Sequence, residues 1–125
     1  MKEAVRTDSA SKGVGPYSQA VKANGFIFVS GQLALDPLTH NIVEGGFDAQ
    51  VEQAIKNTTA ILVAADSGWE KVVKVTVFLK DLNNFSRMND IYVRVLQGIP
   101  PARSAVEVAR LPRDAMIEID VIALT

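Results

Sequence analysis

The spacing of apolar and polar positions changes along the chain, and each change predicts an element. Tyr17 to Lys22 and Phe26 to Gly31 read as strands separated by Ala23-Asn24-Gly25, where Asn-Gly favours a tight hairpin turn. Asp36-Pro37 opens a loop that runs to Asn41. From about Phe47 the period lengthens: Phe47, Val51, Ile55, Thr58, Leu62 and Ala65 recur every three or four residues, which sets them on one helical face. Gln53, Lys56 and Asn57 fall off that stripe, and Gly68 is the expected stop. Lys71 to Lys80 returns to a two-residue period, with Val73, Val75, Val77 and Leu79 on a wholly apolar face and Val72, Lys74, Thr76 and Phe78 on a mixed one. Phe85, Met88, Tyr92 and Val95 predict a second helix ending near Gly98, with Asn83 or Asn84 as its cap. Arg103 to Ala109 and Met116 to Leu124 read as two final strands around a turn at Pro112.

The order βββ-α-β-α-ββ, with one-sided helices, predicts an α+β fold in which two helices lie on one face of a mixed sheet. Residues 1–125 read as a single domain. Ile27 and Val29 make one apolar face of their strand, and Phe26 and Phe28 make the other. Two helices cover only one side of a sheet, so the second side requires an apolar partner, most simply another copy of the chain. An oligomer is expected.

Composition then narrows the chemistry. The chain has 125 residues, is 48% hydrophobic and 22% charged, and carries a net charge of -1, which provides no basic field for a nucleic acid. There is no Cys and only one His, His40. Disulfides, thiolate nucleophiles and the usual zinc ligand sets are thereby excluded. No apolar run reaches the roughly 20 residues that span a bilayer, and Met1 to Arg6 has no leader character. These features predict a cofactor-free, metal-free protein of the cytoplasm that binds neither membrane nor nucleic acid.

Arg103 follows Ile99-Pro100-Pro101-Ala102, so its planar fork, suited to a carboxylate, leaves a stiff strand entrance. Glu118 and Asp120 share one strand face and could handle water or a proton. A hairpin centred near Pro112 would pair Arg103 near Ile122 and leave it roughly 13 Å from Glu118. Direct contact is then excluded unless the register shifts, a substrate and water bridge the gap, or the two residues meet across subunits. Gly15-Pro16-Tyr17-Ser18 sets an aromatic hydroxyl after a rigid turn, and Ser30-Gly31 ends an apolar strand where glycine admits a ligand near the backbone. Taken singly, each has an ordinary structural explanation: a surface ion pair, a solvated strand face, a packed tyrosine, a bulge. His40 beside Asn41 reads as a turn residue. No serine-hydrolase elbow or phosphate loop is present.

Several ordered motifs together are more specific. Gly15-Pro16-Tyr17-Ser18-Gln19-Ala20, Val29-Ser30-Gly31-Gln32, Val73 to Asp81, Pro101-Ala102-Arg103-Ser104 with Val106 to Pro112, and Glu118 to Ala123 resemble the Rid family (YjgF/YER057c/UK114), most closely its RidA subgroup. The resemblance spans nearly the whole chain. It implies a chorismate-mutase-like fold and a homotrimer with clefts between subunits. It also implies 2-iminobutanoate/2-iminopropanoate deaminase activity, in which imines and enamines such as 2-aminoacrylate become 2-keto acids and ammonia. Arg103 would clamp the substrate carboxylate and Glu118 would position or deprotonate water. Tyr17, Ser30, Gly31 and Asn89 match positions around the family's cleft, as does Ala105, where RidA proteins usually carry Cys. Asp120 replaces a commoner Glu. Three alternatives stay open, a keto-acid-binding regulator without turnover, a ribonuclease or translation inhibitor, and a holdase-type chaperone, and the resemblance admits a mitochondrial location beside the cytoplasmic one.

Overall fold

A computed structural model describes residues 1–13 and 15–125. Six strands form one sheet in the order β1-β2-β3-β6-β4-β5. The elements are β1 (Glu3–Val5), β2 (Ala20–Ala23), β3 (Phe26–Gln32), α1 (Gly46–Ala64), β4 (Val72–Leu79), α2 (Phe85–Tyr92), β5 (Ala102–Glu107) and β6 (Ile117–Leu124). This reproduces the expected order, with the two helices on one face. Asn24 and Gly25 both have positive φ, 50° and 81°, as the tight turn between β2 and β3 requires.

The inner sheet face is made by Ile27 and Val29 of β3, Val75, Val77 and Leu79 of β4, and Ile117, Ile119, Val121 and Ala123 of β6, all buried. Against it α1 packs Val51, Ala54, Ile55, Thr58, Ile61 and Leu62, and α2 adds Met88, Ile91 and Tyr92. Burying a Leu, Ile or Val side chain is worth about 1.5–3 kcal/mol, so this layer dominates the stability. The other face stays open. Phe26 and Phe28 are 40% and 45% exposed there, with their rings 6.2 Å apart.

Several local expectations are corrected. β5 and β6 do not form a hairpin. β5 pairs in parallel with β4, setting Arg103 beside Val75, and β6 runs antiparallel between β3 and β4, setting Val75 beside Val121. The physical reason is burial: β6 alternates four fully buried residues and takes the centre of the sheet, while β5, with Ser104 and Glu107, takes an edge. The link from β4 through α2 to β5 is then a parallel crossover. In β4 a register shift between Val72 and Lys74 turns Val72 inward and leaves Val73 exposed. The strand expected from Tyr17 begins only at Ala20, and β1 extends the sheet beyond it.

The helix ends also differ. Asp66, at φ 60°, terminates α1 rather than Gly68, and the Ser67 amide donates to Leu62 O at 2.8 Å. Asn84 stands at the N-cap position of α2, as one of the two expected caps, but makes no side-chain capping bond; the side-chain cap comes one turn earlier from Asp81, which accepts from the Asn83 amide at 2.9 Å. α2 stops at Tyr92, and a 3-10 turn carries the chain to Val95. Asn57 is buried rather than outward-facing: its amide donates to Leu33 O and Leu35 O at 3.2 and 2.8 Å, and Gln53 donates to its oxygen at 2.9 Å.

Candidate active site

Ser30 and Gly31 lie where β3 shifts register against β6 between Val29 and Gln32. The shift bends the strand and opens a cleft of about 480 Å³ lined by Ser11, Tyr17, Ser30, Gly31, Arg113 and Glu118, among others. Glycine is required at 31 by close approach: an added methyl would stand 2.6 Å from Glu118 Oε2. The Tyr17 ring likewise lies over Gly13, whose missing side chain leaves room for the hydroxyl. Ser30 donates its hydroxyl to Ser18 O at 2.6 Å. That bond ties the cleft floor to the Tyr17 turn.

The wall around Ser11 is held by Gln19. Its amide donates to Thr7 O, Ala10 O and Ser11 O at 3.0, 3.2 and 3.3 Å, and its oxygen accepts from the Thr7 amide at 2.8 Å. At the far rim Arg113 donates to His40 O and Asn41 Oδ1 at 2.6 and 3.3 Å, which joins the Pro112 turn to the Asp36–Asn41 loop. His40 Nδ1 sits 3.2 Å from Ser11 Oγ. Gln19, Ser11 and Arg113 were not singled out from sequence. A polar residue between strands carries no mark of which backbone it will satisfy.

Glu118 is half-buried, and this burial, followed by the charge of Asp120, pushes its carboxyl above the ordinary carboxylate range. Asp120 is also raised by burial, against opposing contributions from a Thr76 hydrogen bond and the Lys74 charge. A carboxylate that holds its proton to higher pH is suited to exchanging it with a reacting group.

Arg103 lies elsewhere. Its partner Val75 belongs to the inner face, whereas Glu118 pairs with Phe78 on the open face. Strand alternation therefore puts the two residues on opposite sides of the sheet. The Arg103 guanidinium packs on α2: Nη1 donates to Asn89 Oδ1 at 2.7 Å, and the carbon of the fork stands 5.4 and 5.1 Å from the ring centres of Phe85 and Tyr92. Nε and Nη2 have no hydrogen-bond partner among the described residues. Ala105 follows on the same side of β5 and packs against the edge of the core. The expected site residues thus fall into two groups, Tyr17, Ser30, Gly31 and Glu118 in the cleft, and Arg103, Asn89 and Ala105 at the β5–α2 edge. Among the described residues no cluster of His, Asp or Glu suited to a metal occurs, and no helix is long and apolar enough to cross a membrane.

Comparison with known proteins fits this fold and these motifs. Residues 7–125 match the family model described as Endoribonuclease L-PSP. The chain is 50% identical over 123 residues to a RutC family protein of Pyrococcus horikoshii, covering 98% of each. It is 44% identical over 124 residues to a mouse protein named 2-iminobutanoate/2-iminopropanoate deaminase, covering 99% of this chain and 92% of that one. The solved structure of E. coli TdcF with bound serine superposes with a TM-score of 0.93 at 36% identity, covering 98% of both chains. The chain belongs to the Rid family, which includes the RutC and UK114 proteins. Its fold is the chorismate-mutase-like fold of the Rid and YjgF structures.

Proposed function

We propose that this chain is a hydrolytic deaminase of small 2-imino acids, the 2-iminopropanoate and 2-iminobutanoate class, and that its site forms between subunits of a homotrimer. The observation that carries this reading is the Glu118 carboxylate, raised by burial and pressed against the Gly31 backbone in a cleft shared with Tyr17 and Ser30. The name of the mouse relative supports the reaction, and the serine bound to TdcF supports a small carboxylate ligand for that protein. The exposed apolar face of Phe26 and Phe28 supports the oligomer.

The chemistry asks little of the protein, because an imine carbon is already electrophilic. Arg103 holds the carboxylate through the free edge of its fork. Water adds to the C=N carbon as one of its protons passes to Glu118, which hands it to the imine nitrogen and leaves a carbinolamine. Glu118 then takes the carbinol hydroxyl proton and delivers it to the amine. The C–N bond breaks as the C=O bond forms, and a 2-keto acid and ammonia leave. Positioning and proton transfer account for the acceleration without a metal, cofactor or covalent nucleophile. An enamine enters the same route after tautomerising to the imine.

A coupled assay tests the proposal. A threonine dehydratase generates the imine from threonine or serine, semicarbazide traps it, and this protein competes for it. The expected result is less semicarbazone, restored in Arg103→Ala. No fall with either substrate, together with saturable 2-ketobutyrate binding, would instead favour a keto-acid-binding regulator. The family description suggests a ribonuclease as another reading. The charge of -1 and a lone His40 held in a loop beside Ser11 weigh against it. RNA cleavage that survives purification and disappears in Arg103→Ala would favour it.

A further inference from the structure

One face of α2 meets, besides the core, a single side chain from the edge strand β5. Phe85, Met88, Asn89 and Tyr92 recur at helical spacing, and all four meet the Arg103 guanidinium: Asn89 by a 2.7 Å hydrogen bond, Met88 Sδ at 4.0 Å, and both rings at cation–π distance. Sequence periodicity assigns Phe85, Met88 and Tyr92 to one apolar helix face, and Met88 and Tyr92 are indeed buried. Phe85, however, is only partly buried against the core. The Tyr92 hydroxyl is buried with no hydrogen-bond partner among the described residues, and its ring centre lies 5.1 Å from the Arg103 fork. Its ring face is what Arg103 uses.

We infer that Phe85 and Tyr92 are positioning residues that stack on the Arg103 guanidinium and, with Asn89, fix which edge of its fork meets the substrate carboxylate. A long Arg side chain on an edge strand otherwise samples many rotamers, and each one immobilised on binding lowers affinity. Two ring faces and one acceptor remove that freedom before the ligand arrives. Asn89 takes Nη1, so the Nε–Nη2 edge remains for a two-bond contact with a carboxylate. Since the carboxylate is held alike in the bound imine and in the transition state, loosening the cradle raises KM and leaves kcat nearly unchanged. The inference rests on the proposed role of Arg103.

The test pairs deaminase kinetics with calorimetric binding of 2-ketobutyrate to the intact oligomer. Phe85→Leu and Phe85→Met remove the ring face, and Phe85→Tyr and Tyr92→Phe preserve it. In the first pair, KM and the 2-ketobutyrate Kd are expected to rise about three- to tenfold, with kcat within about twofold. The second pair is expected to match the wild type in both. Melting curves and oligomer mass are recorded for all four, and the ligand constants are read from whichever of Phe85→Leu and Phe85→Met retains the wild-type mass. If Arg103→Ala loses 2-ketobutyrate binding while the Phe85 variants keep wild-type affinity, the cradle is overturned and the clamp stands. A fall in kcat with KM unchanged also overturns it. If Arg103→Ala binds 2-ketobutyrate as the wild type does, the functional reading itself fails and the cradle with it.

Discussion

Arg103 and Glu118 stand on opposite faces of one sheet, with β4 between their strands. In register they are two strands and three residues apart, which separates their backbones by roughly 14 Å. A three- or four-carbon imino acid cannot span that gap and pass through a packed sheet. If both residues act on one substrate, the two must come from different copies of the chain.

This yields a complementation experiment. Arg103→Ala and Glu118→Gln are each expected to be inactive alone. Mixed in equal amounts in a closed ring, a site that takes Arg103 from one copy and Glu118 from the next is intact about one time in four. Co-expression should therefore restore about a quarter of wild-type turnover in the semicarbazide assay. No recovery, with mixed oligomers confirmed by native mass spectrometry, would show that the two residues do not share a site across subunits.

The open face makes a second demand. Phe26 and Phe28 stand exposed beside Ile122 and Leu124 of β6, an apolar patch that a free monomer would present to water. Phe28→Glu should put a charge into whatever covers it and lower the mass seen by light scattering towards that of a monomer. Deaminase activity should fall with it. An unchanged mass would move the subunit contact elsewhere.

Protonation couples the site to stability. Burial, and then Asp120, raise the folded pKa of Glu118, so the folded chain holds that proton more tightly than the unfolded chain does. The stabilisation is fully present below the unfolded carboxylate pKa and is lost as pH rises through the raised folded value. Glu118→Gln removes this loss. Its melting temperature should exceed that of the wild type by about 1–3 °C at pH 7, a small gain because the group is half-exposed, and the gap should close towards about pH 4. Activity runs the other way: wild-type turnover falls on the acid side as Glu118 takes up its proton, and Glu118→Gln is inactive across the range. Equal melting temperatures at every pH would refute the assignment.

How far the sequence carries can be seen in particular residues. The element order, the Asn24-Gly25 turn and the two-sided β3 follow from period and turn chemistry, which act locally. The place of β6 does not, because a strand inserted between β3 and β4 depends on burial summed over the sheet. The hairpin expected at Pro112 fails for that reason. Asn57 reads as a surface residue, since a helical wheel knows nothing of the Leu33 and Leu35 carbonyls it satisfies. Of the candidate residues, Arg103, Glu118, Tyr17, Ser30 and Gly31 stand out by type and setting, and Asn89 and Ala105 only through the family resemblance. Their division between two faces was not legible, because a motif records identity and not register. Phe85 and Tyr92 were visible only as core, since apolar spacing does not distinguish a ring that packs from a ring that also holds a cation.

Gly31 offers the most local test of the cleft. A methyl there would meet Glu118 Oε2 at 2.6 Å and Cδ at 2.8 Å, closer than nonbonded atoms approach, so either the carboxylate rotates away or β3 shifts. Rotation is the cheaper response, since Glu118 is half-buried and its head can move, whereas β3 is paired on both sides. Gly31→Ala is therefore expected to fold with a stability loss of about 1–3 kcal/mol and to lose kcat by at least about tenfold through the displaced water-handling group. If Arg103 supplies the affinity for 2-ketobutyrate, that affinity should change less. Urea melts with single-turnover kinetics separate these effects. A variant of wild-type kcat would mean that Glu118 need not sit against this backbone to act.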